Sequence, residues 1–144
     1  LHEDDLSPKW LFDMGLNPVA TATVDATAGI SPLSVSPTLH RFKTSLMQDT
    51  TSRWSDTLGE VTHGLTSADA IDAWAKSYDA EQLVTAYAPV GPTAQVLHDV
   101  QSVPVIKPIR RYDQAAWPFA TAGFFKFKAK IPKLLGELKG LQAA

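Results

Sequence analysis

The 144-residue sequence contains no cysteine at all. This absence excludes disulfide bonds, thiolate metal sites and a cysteine nucleophile from these residues, and it is compatible with a reducing compartment. The sequence also has no run of 18 apolar residues and opens with no signal-peptide pattern. We therefore expect no transmembrane segment and a cytoplasmic location.

The common catalytic and nucleotide-binding motifs are absent as well. The glycines that follow the strand-like segments stand singly, with neither a GxGxxG run nor a Walker lysine pattern. No serine lies in a GxSxG turn, and the four histidines are scattered without close ligand spacing. We expect no enzyme complete within these residues and no metal site.

Length and composition fit one globular domain with a genuine core, since 44% of the residues are hydrophobic and 19% are charged. The formal net charge of -2 hides an asymmetry, because acidic side chains dominate residues 1–25 and basic ones dominate residues 107–139. A basic end suits nucleic acid, an acidic lipid surface or an acidic protein partner. It equally suits a plain solvated helix face.

Strand-like and helix-like segments alternate along the chain. Short β-branched or apolar runs predict strands at 19–24, 60–63, 83–88 and 103–109. Capping signals and apolar residues three and four apart predict helices at 8–14, 37–58, 68–78 and 93–100. On the longest helix we expect one mostly apolar face, formed by Leu39, Phe42, Leu46, Thr50 and Trp54.

This alternation predicts an α/β fold. We expect a single doubly wound, Rossmann-like domain with a mostly parallel sheet over residues 1–112, followed by a basic, aromatic-rich C-terminal segment over residues 113–144. Leu1 to Leu6 has the character of a strand that exits into a loop. Most of that first strand is therefore expected to be missing from the sequence.

Ligands of such sheets bind outside the carboxyl ends of the strands. Two loops qualify: His2-Glu3-Asp4-Asp5 after the first strand, and Pro89-Val90-Gly91-Pro92 after the fourth. The acidic turn suits hydrogen bonds from a sugar, ligation of a divalent metal, capping of the next helix or plain solvation. The second loop suits an anion at the following helix start, or simple turn formation. The predicted cofactor-binding residues are His2, Asp4, Asp5, Pro89, Val90 and Gly91.

The C-terminal segment has an unusual density of aromatic and basic side chains. Solvated tails rarely carry so much aromatic surface, so we expect these rings to pack on the domain itself or on another protein chain. Nucleic acid is a weaker alternative, because no known nucleic-acid motif accompanies the lysines. The predicted partner-binding residues are Trp117, Phe119, Phe124, Phe125, Phe127, Lys126, Lys128 and Lys130.

Several of these pieces occur together in one family. Four segments follow one another in the order of that family's motifs: the turn from His2 to Pro8, the helix from Pro37 to Leu58, Val61-Thr62-His63-Gly64, and Leu83 to Pro89. The stretch from Arg110 to Phe127 matches the family's exit from the α/β domain. The chain thus resembles the N-terminal α/β domain of the photolyase/cryptochrome superfamily, in particular short photolyase-related bacterial proteins. Glu3-Asp4-Asp5 departs from the family's usual Asp-Leu-Arg type of sequence.

The resemblance implies an antenna-type domain, whose chromophore would be a flavin, a deazaflavin or a folate, or which binds none. No helical FAD domain follows Ala144 in the sequence, so the resemblance does not imply light-driven repair by this chain alone. We expect a photolyase-like module without autonomous catalysis that binds a chromophore or nucleotide at the strand ends. The alternative is a non-catalytic accessory subunit that docks a larger protein assembly through residues 113–144.

Overall fold

A computed structural model describes the backbone of residues 1–141 and the side chains of residues 1–137. The chain divides into two compact units, Leu1–Pro108 and Ile109–Ala144. The last three residues of the predicted C-terminal segment, 142–144, lie outside the described residues. No helix within the described range has the length and apolar character needed to cross a membrane.

The first unit alternates helices with short strands, as the sequence predicts. Ser36 caps the longest helix by accepting a hydrogen bond from the Thr38 N–H, and Ser67 caps the fourth helix through the Ala70 N–H. The elements in order are α1 (Lys9–Asp13), β1 (Ala20–Val24), a 3-10 turn (Thr27–Gly29), α2 (Pro37–Arg53), α3 (Ser55–Leu58), β2 (Glu60–Leu65), α4 (Ala68–Ser77), β3 (Leu83–Val84), α5 (Pro92–His98) and β4 (Val105–Ile106).

The strands pair in parallel, but they form two sheets of two strands rather than one sheet. β1 pairs with β2 in the register Ala20↔Glu60, and β3 pairs with β4 in the register Leu83↔Val105. His2 forms a parallel bridge to Val24, so the start of the chain lies along the other side of β1. The mixed helix–strand character and the parallel pairing agree with the prediction.

The core of the first unit lies between the strands and the helices α4 and α5. Its centre is a cluster of buried apolar side chains from β1, α4, α5 and the segments that follow β3 and α5: Val24, Ile71, Ala88, Leu97 and Val100. A second contact ties α1 to the end of α2, where the rings of Phe12 and Trp54 lie 5.5 Å apart between centroids. The apolar sides of the helices thus cover the sheets, which is the normal arrangement for parallel strands.

The predicted apolar face of α2 is wrong over its first half. Phe42 is 59% exposed and Leu39 and Leu46 are also exposed, whereas Met47 is only 4% exposed and Thr50 is buried. The buried side chains of α2 lie in its second half, at Met47, Thr50 and Thr51. Spacing alone does not show which half of the helix is covered.

The second unit is helical. Its elements are α6 (Arg111–Ala116), a 3-10 turn (Trp117–Phe119), α7 (Phe124–Lys128) and α8 (Ile131–Leu141). Contacts between α6 and α8 hold it together, and Leu134 of α8 is buried. The structural boundary at Pro108 lies four residues before the boundary expected from the sequence.

Candidate ligand site at the carboxyl ends of the strands

A pocket of about 300 Å³ lies where β1 and β2 end. Because the two strands are parallel and Val24 is in register with Leu65, the residues that follow them leave the same edge. These are Asp25 after β1 and Thr66 after β2, and both line the pocket. The loop after β1 and the first turns of α2 close it. We call this the carboxyl-edge pocket; it is lined by Asp25, Thr27, Ala28, Leu33, Ser34, Val35, His40 and Thr66.

Asp25 is the charged group that the fold holds most firmly in this pocket. It is only 7% exposed, and its backbone N–H donates to the Leu65 carbonyl at 2.8 Å. One carboxylate oxygen, Oδ1, accepts the Thr27 N–H at 3.0 Å, while Oδ2 lies 3.4 Å from Nδ1 of the exposed His40. A carboxylate has about four acceptor positions, so Asp25 can accept further hydrogen bonds from a ligand.

Thr27 adds a second polar group to the pocket wall. Its hydroxyl is buried and has no hydrogen-bond partner among the described residues. An unsatisfied buried hydroxyl is costly, of the order of 1–3 kcal/mol. The remaining acceptor positions of Asp25 therefore favour a ligand that carries hydroxyl or N–H donors.

The predicted residue His2 is fully buried instead of facing the pocket. Its ring Nε2–H donates to the Ala86 carbonyl at 2.9 Å, and its Nδ1 lies 3.6 Å from the Asp4 carboxylate. Burial lowers the pKa of His2 below its ordinary value, and the Ala86 hydrogen bond and the Asp4 charge oppose this shift only in part. His2 is thus a neutral link between the first turn and the segment after β3.

The remaining members of the acidic turn have identifiable contacts. Asp5 accepts the Ser7 N–H at 3.0 Å and the Trp10 indole N–H at 3.2 Å, which orients the start of α1. Glu3 forms an ion pair with Lys43 of α2. Asp4 is exposed. No cluster of three or more metal-ligating side chains occurs within the described part of the chain.

The second predicted loop, Pro89 to Pro92, contacts the loop after β1 through its last residue. Val90 is fully exposed at the tip of the loop. Pro92 approaches Gly29 so closely that a Cβ on Gly29 would lie 2.9 Å from the proline Cβ. The structure therefore brings the loops after β1 and β3 together at one edge, but it places His2 deeper, against Ala86.

Asp25, Thr27 and His40 lie outside the set of predicted site residues. A signal for Asp25 is present in the sequence, because an acidic residue follows the predicted strand 19–24 directly. No comparable signal exists for His40. It comes from a helix that begins thirteen residues after the strand ends, and only the fold brings it to Asp25.

The C-terminal unit leaves several predicted partner-binding residues exposed. Phe125 is 83% exposed, Phe124 is 63% exposed and Trp117 is 52% exposed, while Phe119 and Phe127 are half-buried. The three predicted lysines are exposed, and the ammonium of one of them, Lys130, lies 5.6 Å from the centroid of the Phe119 ring. The rings of Phe124 and Phe125 contact each other edge to face, 5.7 Å apart.

Comparison with known proteins adds no relative to this picture. No protein-family model matches the chain, and neither a curated protein nor a solved structure matches it significantly. The resemblance to the photolyase/cryptochrome superfamily therefore stays a prediction, and function has to be inferred from the geometry.

Proposed function

We propose that this chain is a Rossmann-like α/β binding module without catalysis of its own, which holds the polyhydroxylated part of a flavin-type or nucleoside-type ligand in the carboxyl-edge pocket. The observation that carries the proposal is the buried carboxylate of Asp25, with oxygen atoms available at the ends of two parallel strands. Ligands of open parallel sheets bind outside the carboxyl ends of the strands.

The position of Asp25 favours a ribose or ribityl group. In doubly wound dinucleotide-binding folds, an acidic residue about 20 residues beyond the first strand–helix turn hydrogen-bonds the ribose hydroxyls. Asp25 stands in this relation to the turn at His2, and it follows the strand that lies beside His2.

The same edge disfavours phosphate groups. The sequence has no glycine-rich loop to surround a phosphate. Two carboxylates of the first turn, Asp4 and Asp5, add negative charge to the loop that would have to receive it. A ligand without phosphate, such as riboflavin, a deazaflavin or a nucleoside, fits these charges better than a dinucleotide. Among the chromophores that the photolyase resemblance implies, this favours the flavin and deazaflavin types.

The test is a titration of the purified chain with riboflavin and with adenosine, followed by fluorescence and calorimetry. Asp25→Asn is the informative variant, because its amide oxygen still accepts the Thr27 N–H and keeps the turn. Hydrogen bonds to a charged group are worth about 1.5–3 kcal/mol, so Kd should rise roughly 10- to 100-fold.

The matched control is Asp4→Asn, which removes an exposed carboxylate from the neighbouring turn and should leave Kd unchanged. If the wild-type chain bound neither riboflavin nor adenosine, the proposal would be contradicted. Equal affinities of the wild-type chain and Asp25→Asn would show that the ligand lies elsewhere.

A second candidate function rests on the exposed rings of Phe124 and Phe125. An accessory subunit that docks the acidic surface of another protein would use this pair together with the adjacent Lys126 and Lys128. Native mass spectrometry of complexes isolated from the source cells should show a stoichiometric partner that is lost in Phe124→Ser/Phe125→Ser. The control is Leu33→Ser, which changes an exposed apolar residue of the first unit. Retention of the partner by the double variant would eliminate this candidate.

A further inference from the structure

On one edge of β1, the backbone groups of Ala20 and the Ala22 N–H have no hydrogen-bond partner among the described residues, whereas the Ala22 carbonyl and the Val24 N–H pair with Leu1. The N–H and C=O of a strand residue point to the same side, and the side alternates from one residue to the next. The Asp25 N–H donates to Leu65 beside β2, while the Val24 N–H donates to the Leu1 carbonyl on the opposite side. The even-numbered residues Ala20 and Ala22 therefore direct their backbone groups away from β2.

β3 has an equivalent edge. The N–H groups of Leu83, Thr85 and Tyr87 donate to carbonyls of β4 and the residues around it, at 2.9–3.0 Å. By the same alternation, Gln82 and Val84 direct their backbone groups away from β4. An unpaired strand edge of this kind is a template for another strand.

The two edges border the same cavity, which has a volume of about 470 Å³. We call it the central cavity. Residues of both edges line it, Ala20 and Ala22 on one side and Gln82 and Val84 on the other. Apolar side chains of the surrounding helices cover it, among them Leu11, Ile71 and Leu97. Both faces of a segment placed there would thus contact apolar groups, which is the environment of an inner parallel strand.

Leu1 and His2 show how a strand would enter. The Leu1 nitrogen donates to the Ala22 carbonyl at 2.7 Å and the Leu1 carbonyl accepts the Val24 N–H at 2.8 Å, which is the ladder of a parallel strand. On the other side, His2 reaches the Ala86 carbonyl. Leu1 and His2 therefore already lie between the two sheets, and Leu1 itself lines the central cavity.

We propose that the central cavity is the binding site of a fifth parallel strand, a short apolar extended segment continuous with Leu1 on its amino side, which joins the two sheets into one. The order across the completed sheet is β2, β1, the added strand, β3 and β4. Counted along the chain with the added strand first, this is 3-2-1-4-5, the order of a doubly wound sheet.

The geometry favours this occupant over a small apolar molecule. A small molecule fills volume, but it does not pair the backbone groups of Ala20 and Ala22 and those of Val84 at the same time. The ladder at Leu1 fixes both the direction and the register of a strand. The second residue before Leu1 would donate to the Ala20 carbonyl and accept the Ala22 N–H.

The test adds Val-Val-Ile-Val before Leu1 of the full chain. The matched control, Val-Val-Pro-Val, differs only at the second residue before Leu1, where proline removes the donor to the Ala20 carbonyl. The first extension should raise Tm by about 5 °C or more. It should also slow amide exchange at Ala22 and Val84 at least tenfold, while the proline control should gain at most a small part of either effect.

In a further measurement, Val-Val-Ile-Val is added to the 144-residue chain as a free peptide with two lysines at its amino end. Stabilisation by the extension with no effect of the free peptide at equal concentration supports a strand continuous with Leu1. Stabilisation by the free peptide alone would assign the cavity to a strand of another chain and overturn the proposal. Equal stabilisation by the proline control would reduce the effect to apolar filling and would also overturn it. None of these outcomes depends on ligand binding at Asp25.

Discussion

Gly59 is the residue at which one added methyl group should damage the fold most. It lies between α3 and β2 with φ +66° and ψ -151°. A Cβ there would collide with the carbonyl oxygen of Val19 and lie 2.8 Å from its carbonyl carbon. Because Ala20 and Glu60 are register partners, the collision falls where β1 and β2 begin to pair. We therefore predict that Gly59→Ala weakens the first sheet from its starting point.

The magnitude has two parts. A non-glycine residue at positive φ costs about 1–2 kcal/mol, and a ψ near -150° lies close to a region that is essentially restricted to glycine. The collision adds the cost of moving backbone, since no side chain can rotate away. We expect a total loss of about 3–5 kcal/mol, a large part of the 5–15 kcal/mol typical of a domain.

Gly64→Ala is the matched control. Gly64 also has a positive φ, +73°, but nothing lies within 4 Å of an added Cβ. It should lose only the backbone part, about 1–2 kcal/mol. The entropy lost from the unfolded chain is the same for both substitutions and cancels in the comparison. Urea denaturation followed by circular dichroism gives both free energies of unfolding. Equal losses in the two variants, or a loss below about 1 kcal/mol for Gly59→Ala, would refute the reasoning.

Three further predictions concern stability. Burial lowers the pKa of the Leu1 amino group from 8.0 to about 6, so the unfolded chain binds more protons between these values. Stability should therefore fall by about 2 kcal/mol as the pH drops from 8 to 6, and an N-acetylated chain measured in parallel should lose this dependence. Thr21→Val removes the hydrogen bond from the Thr21 hydroxyl to the Leu58 carbonyl at 2.7 Å and should cost about 1–3 kcal/mol in urea denaturation, and a loss near zero would show that water replaces it. Met47→Ala should cost about 2–5 kcal/mol while Phe42→Ser stays within about 0.5 kcal/mol, and the reverse order would restore the apolar face expected from the sequence.

Local signals were sufficient to predict where helices and strands of the first unit occur, but not their extents: the predicted helix 37–58 is interrupted at Trp54, and the predicted strands 83–88 and 103–109 are strands only at Leu83–Val84 and Val105–Ile106. Ser36-Pro37 marks the start of α2, Ser67 marks the start of α4, and Gly59 lies just beyond α3, each for a reason that involves neighbouring residues alone. The parallel pairing followed from the alternation of strands and helices, because a crossover through a helix returns the chain in the same direction. The signals that predict these features each lie within a short stretch of the sequence.

The features that sequence did not predict depend on distant parts of the chain. The burial of Met47 in place of Phe42 depends on which half of α2 the rest of the first unit covers. The approach of His40 to Asp25 depends on the path of the loop between β1 and α2. The exposure of Phe124 and Phe125 could not be chosen in advance, because the same sequence suits rings packed on the domain and rings available to a partner.

The candidate ligand site and the central cavity are connected through two consecutive residues of β1. The Val24 N–H bonds to Leu1 at the end of the central cavity, while the Asp25 N–H bonds to Leu65 and its carboxylate lines the carboxyl-edge pocket. A segment that orders Leu1 therefore also restrains the strand end from which Asp25 projects. If both proposals hold, the extended chain should bind its ligand more tightly than the 144-residue chain, because less of the binding free energy is spent on ordering the site. By linkage, the ligand should raise Tm further in the extended chain. Equal affinities would mean that the two sites share a strand but are energetically independent.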